Sequence, residues 1–177
     1  GYSSAKKARA RLACSGTNQT SSVATRQPPG RSSGRQLRNA FSKPIEGGPA
    51  ERGFDLYFGT DVPNWPPYCF IENDRTQGIP SEFLPAAQLA NNQASIQGPA
   101  LKDWSLEPIL PALGERASRF IAEAAQGEKP YLLYMPLTSP HTPLAVNERW
   151  KGKSGLNLYA EFVMETNAVV GQVLEAI

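Results

Sequence analysis

Between residues 109 and 177 two stretches of helical apolar period flank one unbroken apolar run, and few folds accept that order. Ile109, Leu110, Leu113, Ala117, Phe120, Ile121 and Ala124 recur at steps of three and four, which puts them on one face of a helix. Pro108 or Pro111 suits its first turn, where a missing N–H costs nothing, and Gly127 is a natural stop. Tyr131-Leu132-Leu133-Tyr134-Met135 is continuous, the mark of a strand covered on both faces. A loop follows at Thr138-Ser139-Pro140-His141-Thr142-Pro143. Beyond it, Tyr159, Phe162, Val163, Thr166, Val169, Val170, Val173, Leu174 and Ile177 predict a second helix with one stripe. Helix, buried strand, loop and helix make the unit of an α/β fold, an open sheet with helices on both faces. Ligands in such sheets bind beyond the carboxyl ends of the strands, and His141 stands six residues past Met135, in that crevice.

Upstream the pattern is less regular. Pro44 to Pro67 is punctuated by Gly and Pro with Phe54, Tyr57, Phe58 and Trp65 between them, and reads as ordered but irregular loop. Cys69-Phe70-Ile71-Glu72 predicts a short strand closed by Asn73 and Asp74. Residues 76–104, rich in Gly, Pro, Asn and Gln, predict loop with little regular structure.

Charge divides the chain sharply. Residues 1–43 hold nine Lys or Arg and no acid, whereas residues 44–177 carry a formal balance of −7. The basic segment has few large apolar residues and cannot bury enough surface to offset its ordering entropy, so disorder is expected there and a folded domain over 44–177. A basic arm suits nucleic acid or an anionic membrane, but interleaved aromatics, a recognition-helix period and a zinc motif are all missing, so a solvated tail is the expectation. No apolar run approaches the length of a membrane span. Two cysteines, Cys14 and Cys69, build no disulfide framework and have no zinc spacing. No charged n-region with an apolar h-region opens the chain. Beginning at Gly1-Tyr2 and ending inside a helical pattern at Ile177, it reads as a piece of something longer.

The chemistry on offer centres on His141, the one histidine of 177 residues. Imidazole is the side chain suited to exchanging a proton near neutrality, and Pro140 and Pro143 restrict how this one points. Ser139 stands two residues away in the same loop, which gives no warrant for a triad, and no nucleophile elbow or Gly-rich phosphate cradle is present. Asp61, Glu72 and Asp74 are loop acids expected to be solvated, and no metal site is assigned. Tyr57, Trp65 and Tyr68 suit either stacking on a sugar ring or packing.

Taken in order, Gly53-Phe54-Asp55-Leu56-Tyr57-Phe58-Gly59, the stretch Asp61 to Asp74, and Tyr131 to Pro143 with its Ser-Pro-His-Thr-Pro resemble sulfatases of the arylsulfatase type. The likeness continues through Gly152-Lys153-Ser154-Gly155-Leu156, Tyr159 to Val163 and Val170 to Leu174, covering about residues 44 to 177. It implies the alkaline-phosphatase-like α/β fold and hydrolysis of sulfate esters, the partner being a sulfated small molecule or a sulfated carbohydrate. It also implies a formylglycine nucleophile, made from cysteine or serine in a Cys-x-Pro-Ser-Arg type motif, beside a divalent cation, usually Ca2+. The histidine of the family's Pro-His-x-Pro loop falls on His141, which would contact the ester and assist the departing alkoxide. Asn64, in the loop after Gly59, falls where relatives place substrate-contacting residues. A periplasmic or secreted setting suits the family.

The departures are equally specific. Neither Cys14-Ser15-Gly16-Thr17 nor Cys69-Phe70-Ile71-Glu72 is a formylglycine motif. The family's early Asp pair and later Asp-Asn-Gly have no counterpart, so the nucleophile and cation ligands are expected before residue 1 and after residue 177, and the chain alone is expected to be inert. Relatives follow a Gly-Tyr with Gly-Lys-Trp-His-Leu-Gly, whereas Gly1-Tyr2 leads into Ser3-Ser4-Ala5-Lys6-Lys7-Ala8-Arg9. Residues 3 to about 40 therefore read as out of frame or wrongly spliced. The coding DNA in one of the other two frames is expected to yield a Lys-Trp-His pattern, and its absence from both rules the reading out. The rival readings are a phosphodiesterase or phosphomutase of the same superfamily, and a non-catalytic protein whose basic arm contacts nucleic acid.

Overall fold

Three parallel strands set the edge from which the His141 loop departs. The computed structural model of the chain describes residues 10–15, 41–62, 65–85 and 96–177. Strand β1 (Ala10–Ser15) lies between β2 (Leu56–Gly59) and β7 (Tyr131–Tyr134), parallel to both, with Leu12 in register with Leu56 on one side and Leu133 on the other. A hairpin of β3 (Ile71–Glu72) and β4 (Arg75–Thr76) extends the sheet beyond β2, giving the order β4-β3-β2-β1-β7. Asn73, in the hairpin turn, adopts φ 55°, a left-handed conformation that Asn tolerates better than most residues. A separate antiparallel pair, β5 (Glu82–Leu84) with β6 (Gly98–Ala100), joins the body through Tyr68, whose N–H donates to the Pro99 carbonyl at 2.8 Å.

Helix α1 (Ile109–Ala124) packs on β1, β2 and β7, and α2 (Leu158–Glu175) packs on α1. The periodic face of α1 is the buried one, with Gly114 added to it. A Cβ on Gly114 would stand 2.8 Å from Val169 Cγ1, so the missing side chain lets the two helices approach. Phe58, Ile109, Leu113 and Phe120 form the main core between α1 and the sheet, with Tyr131 edge-on to Phe120 at 5.7 Å between ring centroids. On the opposite face Tyr57 and Ile71 are covered by Ile45 and Phe54, next to the short 3-10 turn Pro49–Arg52.

Several expectations change. Leu56–Gly59, placed in irregular loop, is a strand of the main sheet, and residues 76–104, also expected to be loop, supply the last residue of β4 and the whole of β5 and β6. The apolar run at β7 is not covered on both faces: Tyr131 and Leu133 turn toward α1, while Leu132 and Tyr134 are 53% and 57% exposed. Disorder does not extend over the whole of residues 1–43. Ala10–Ser15 is a strand, and the Ser42 and Phe41 carbonyls accept from Arg75 and Thr76 at 3.3 Å. A strand bonded along both flanks satisfies its backbone without bulky side chains. Residues 1–9 and 16–40 lie outside the described residues. Among the described residues, no helix is long and apolar enough to cross a membrane.

Candidate active site at the carboxyl edge of the sheet

Because β1, β2 and β7 run parallel, the segments leaving β2 and β7 emerge from the same edge of the sheet. The β7 exit carries His141. Its backbone N–H donates to the Thr138 carbonyl at 3.3 Å, and the Ser139–Pro140 and Thr142–Pro143 peptide bonds on either side are both cis. The ring is exposed, with Nδ1 2.6 Å from the Thr142 carbonyl oxygen. A carbonyl only accepts, so Nδ1 carries a hydrogen, and Nε2 is left as the nitrogen that gives or takes a proton. Beneath the loop, a cavity of about 20 Å³ is lined by Leu106, Ile109, Leu110, His141 and Phe162, room for a water and no more.

The β2 exit carries Thr60, Asp61, Val62 and Trp65, with the Trp65 N–H donating to the Val62 carbonyl at 3.1 Å. Asn64, expected to contact substrate, lies outside the described residues. Of the three aromatics that suited stacking or packing, Tyr57 and Tyr68 are buried, and only Trp65 is exposed. Glu72 accepts from Arg116 Nη2 at 2.6 Å and from Gln77 Nε2 at 3.0 Å, so it is a half-buried ion-pair partner on the α1 side of the hairpin.

Sequence reasoning missed the carboxylates of α2. Glu165 is fully buried, its Oε2 accepting the Asn147 N–H at 3.0 Å and its Oε1 accepting the Asn147 side-chain amide. Glu161, one turn earlier, accepts the Gly152 N–H at 2.7 Å and the Ser154 hydroxyl at 3.2 Å. The spacing of four that places both on the face of Phe162 and Val169 was visible, but acids read as the solvent side of a helix.

Cys69 is a buried thiol whose Sγ lies 3.9 Å from the Pro67 carbonyl. Burial, with Asp61 adding to it, pushes its pKa up to about 12, and burial likewise pushes Tyr68 up to about 12 against the lowering effect of its bond to the Ile96 carbonyl. A group with a raised folded pKa keeps its full stabilising effect below its unfolded pKa and loses it as pH rises through the folded value. The urea midpoint is therefore expected to hold to about pH 9 and then fall. Cys69 accounts for up to about 4 kcal/mol of that fall by pH 12, at about 1.4 kcal/mol per pKa unit. Urea titrations of wild type and Cys69→Ala from pH 8 to 11 check this; identical slopes would refute it.

No protein-family model matches the chain. It is 30% identical over 144 residues to mouse (Mus musculus) arylsulfatase G, a match covering 73% of this chain and 27% of that protein. It is 27% identical over 74 residues to N-acetylgalactosamine-6-O-sulfatase of Bacteroides thetaiotaomicron, covering 42% of this chain and 14% of that one. The chain thus spans about a quarter of the length of the arylsulfatase G relatives it matches. A solved structure from work on glycosaminoglycan metabolism by Bacteroides thetaiotaomicron superposes with a TM-score of 0.63 at 20% identity, covering 77% of this chain and 35% of that one. The fold is the alkaline-phosphatase-like α/β fold. The proteins it is similar to in sequence are sulfatases, a likeness that spans about three quarters of this chain for arylsulfatase G.

The described residues do not fit the family's cation or its nucleophile. Among them no group of three His, Cys, Asp or Glu is arranged to hold a metal ion. Cys69, buried, held protonated and followed by Phe70-Ile71-Glu72, has neither the exposure nor the sequence of a formylglycine precursor.

Proposed function

We propose that this chain supplies the proton-donating wall of a sulfate-ester hydrolase, acting on a sulfated small molecule or a sulfated carbohydrate. The observation that carries the reading is His141. It stands on the loop beyond the carboxyl end of β7, exposed, with Nδ1 committed to the Thr142 carbonyl. As the S–O bond of the ester breaks and the sulfuryl group passes to an oxygen acceptor, water in the net hydrolysis, the imidazolium gives the proton on Nε2 to the departing oxygen, which leaves as the alcohol, and the ring becomes neutral with its Nδ1 hydrogen kept. The names of the matched relatives support the substrate class, since one is an arylsulfatase and another a sulfatase of a sugar. Trp65, exposed at the neighbouring exit, offers a ring face to a sugar or aryl group.

Calcium and formylglycine are proposed to belong to polypeptide outside this chain, and no step here runs through them. Catalytic groups that act as a unit lose most of their effect when separated, so the 177-residue chain alone is expected to show no turnover. The test is sulfate release from an aryl sulfate and from a 6-sulfated amino sugar by the full-length gene product, with wild type beside His141→Gln. Release by wild type that the substitution abolishes or cripples supports the reading. Hydrolysis of phosphate diesters in place of sulfate esters, or undiminished release from the 6-sulfated amino sugar by the variant, overturns it.

A further inference from the structure

Two consecutive residues of α2 grip the His141 loop from both sides. Upstream of His141, Thr166 Oγ1 is hydrogen-bonded to Ser139 Oγ at 2.7 Å and lies 2.7 Å from its own helix's Phe162 carbonyl. Downstream, both oxygens of Glu165 are taken up by Asn147, one by its backbone N–H and one by its side-chain amide. The Asn147 Nδ2 also donates to the Glu107 carbonyl at 2.8 Å, tying the same point to the segment that enters α1. The loop is thus pinned two residues before the imidazole and six residues after it.

A carboxylate with no exposed surface is costly to keep in a protein interior unless its oxygens are hydrogen-bonded. Here, among the described residues, the hydrogen bonds to both oxygens come from one residue of the loop, so the loop and the carboxylate hold each other. Between the pins, Val146 and Ala145 are buried against the helices, which fixes the loop's height above them.

We propose that Glu165 and Thr166 are positioning residues that hold His141 in the orientation from which it reaches substrate; the catalytic meaning rests on the hydrolase reading above, whereas the clamp itself does not. The hydrogen bonds of Glu165 and Thr166 go to Asn147, Ser139 and the Phe162 carbonyl, and that of the ring to the Thr142 carbonyl. Their effect passes through Asn147 and Ser139. Misplacement of a catalytic group by about 1 Å can cost about 100-fold in rate, so loosening either pin lowers kcat while KM changes little.

His141 is the single histidine, which makes its ring signals unambiguous by NMR in the 177-residue chain. In Thr166→Val and Glu165→Gln, backbone order at His141, Thr142 and residues 144–147 is expected to fall to order parameters below about 0.6. Residues 109–124 should stay as in wild type, and Thr166→Ser, which keeps the hydroxyl, should restore the loop. Should Glu165→Gln fail to fold, Thr166→Val decides. Unchanged order in the loop, or an equal loss along 109–124, overturns the clamp. In the full-length enzyme Thr166→Val is expected to lower kcat by about 10- to 100-fold at nearly constant KM, and a loosened loop with unchanged kcat overturns the positioning role. A wild type that turns over no sulfate ester, with the loop loosening in the variants, sinks the hydrolase reading and leaves the clamp standing.

Discussion

His141→Ala in the full-length enzyme is expected to slow sulfate release from an alkyl or sugar ester by about 100- to 10,000-fold, and from a nitrophenyl ester far less. The difference follows from where the negative charge goes. An alkyl oxygen leaving sulfur is a strong base and needs a proton as the S–O bond breaks, whereas a nitrophenolate carries its own charge. The imidazole can supply that proton only from Nε2, because Nδ1 is bonded to the Thr142 carbonyl. A series of esters of graded leaving-group basicity, assayed with wild type and variant, gives the answer as a slope. A steeper dependence in the variant is the expected result. Equal losses across the series would mean that His141 binds the sulfate group rather than protonating the departing oxygen, and an unaltered alkyl ester rate would remove it from the chemistry.

The second large effect is on stability. Leu113→Ala is expected to cost about 2–5 kcal/mol, the range for truncating a leucine that cannot be compensated by collapse. Leu113 is completely buried, on the α1 face it shares with Phe120 and in one core cluster with Phe58 of β2. A hole there would lie in the close-packed core cluster shared with Phe58, Ile109 and Phe120. Against a typical total of about 5–15 kcal/mol this is a large share. It should appear as a lower urea midpoint at unchanged slope. A loss below about 1 kcal/mol would show that α1 does not pack on the sheet as described.

How far the sequence foretold this fold depended on whether a segment's neighbours were close in the chain. The α1 face was legible almost residue for residue, since an amphipathic helix writes its environment into its own period. On α2 the same reasoning was half right. Phe162 and Val169 are buried, but Tyr159, Val163, Val170, Leu174 and Ile177 of the same predicted stripe are exposed, and Glu161 and Glu165 take interior places. Periodicity cannot foresee a buried carboxylate whose partner, Asn147, lies in another segment. Strand β2 escaped notice because four residues among glycines and prolines are too few to show alternation, and β5 with β6 because each has three. That His141 stands on a loop beyond β7 was legible because prolines and polar residues follow an apolar run there. Asn64 rested on family likeness alone and falls outside the described residues.

Strand β7 closes the five-stranded sheet on one side, and two of its large side chains face solvent. Among the described residues no strand pairs with its far row of amide and carbonyl groups, which makes that row a template for another polypeptide, and Leu132 and Tyr134 would reward whatever settles beside them. Purified in isolation, this chain should therefore be sticky. Clouding or oligomer formation as concentration rises, relieved when Leu132 becomes lysine, would locate the adhesive flank of the molecule at that strand.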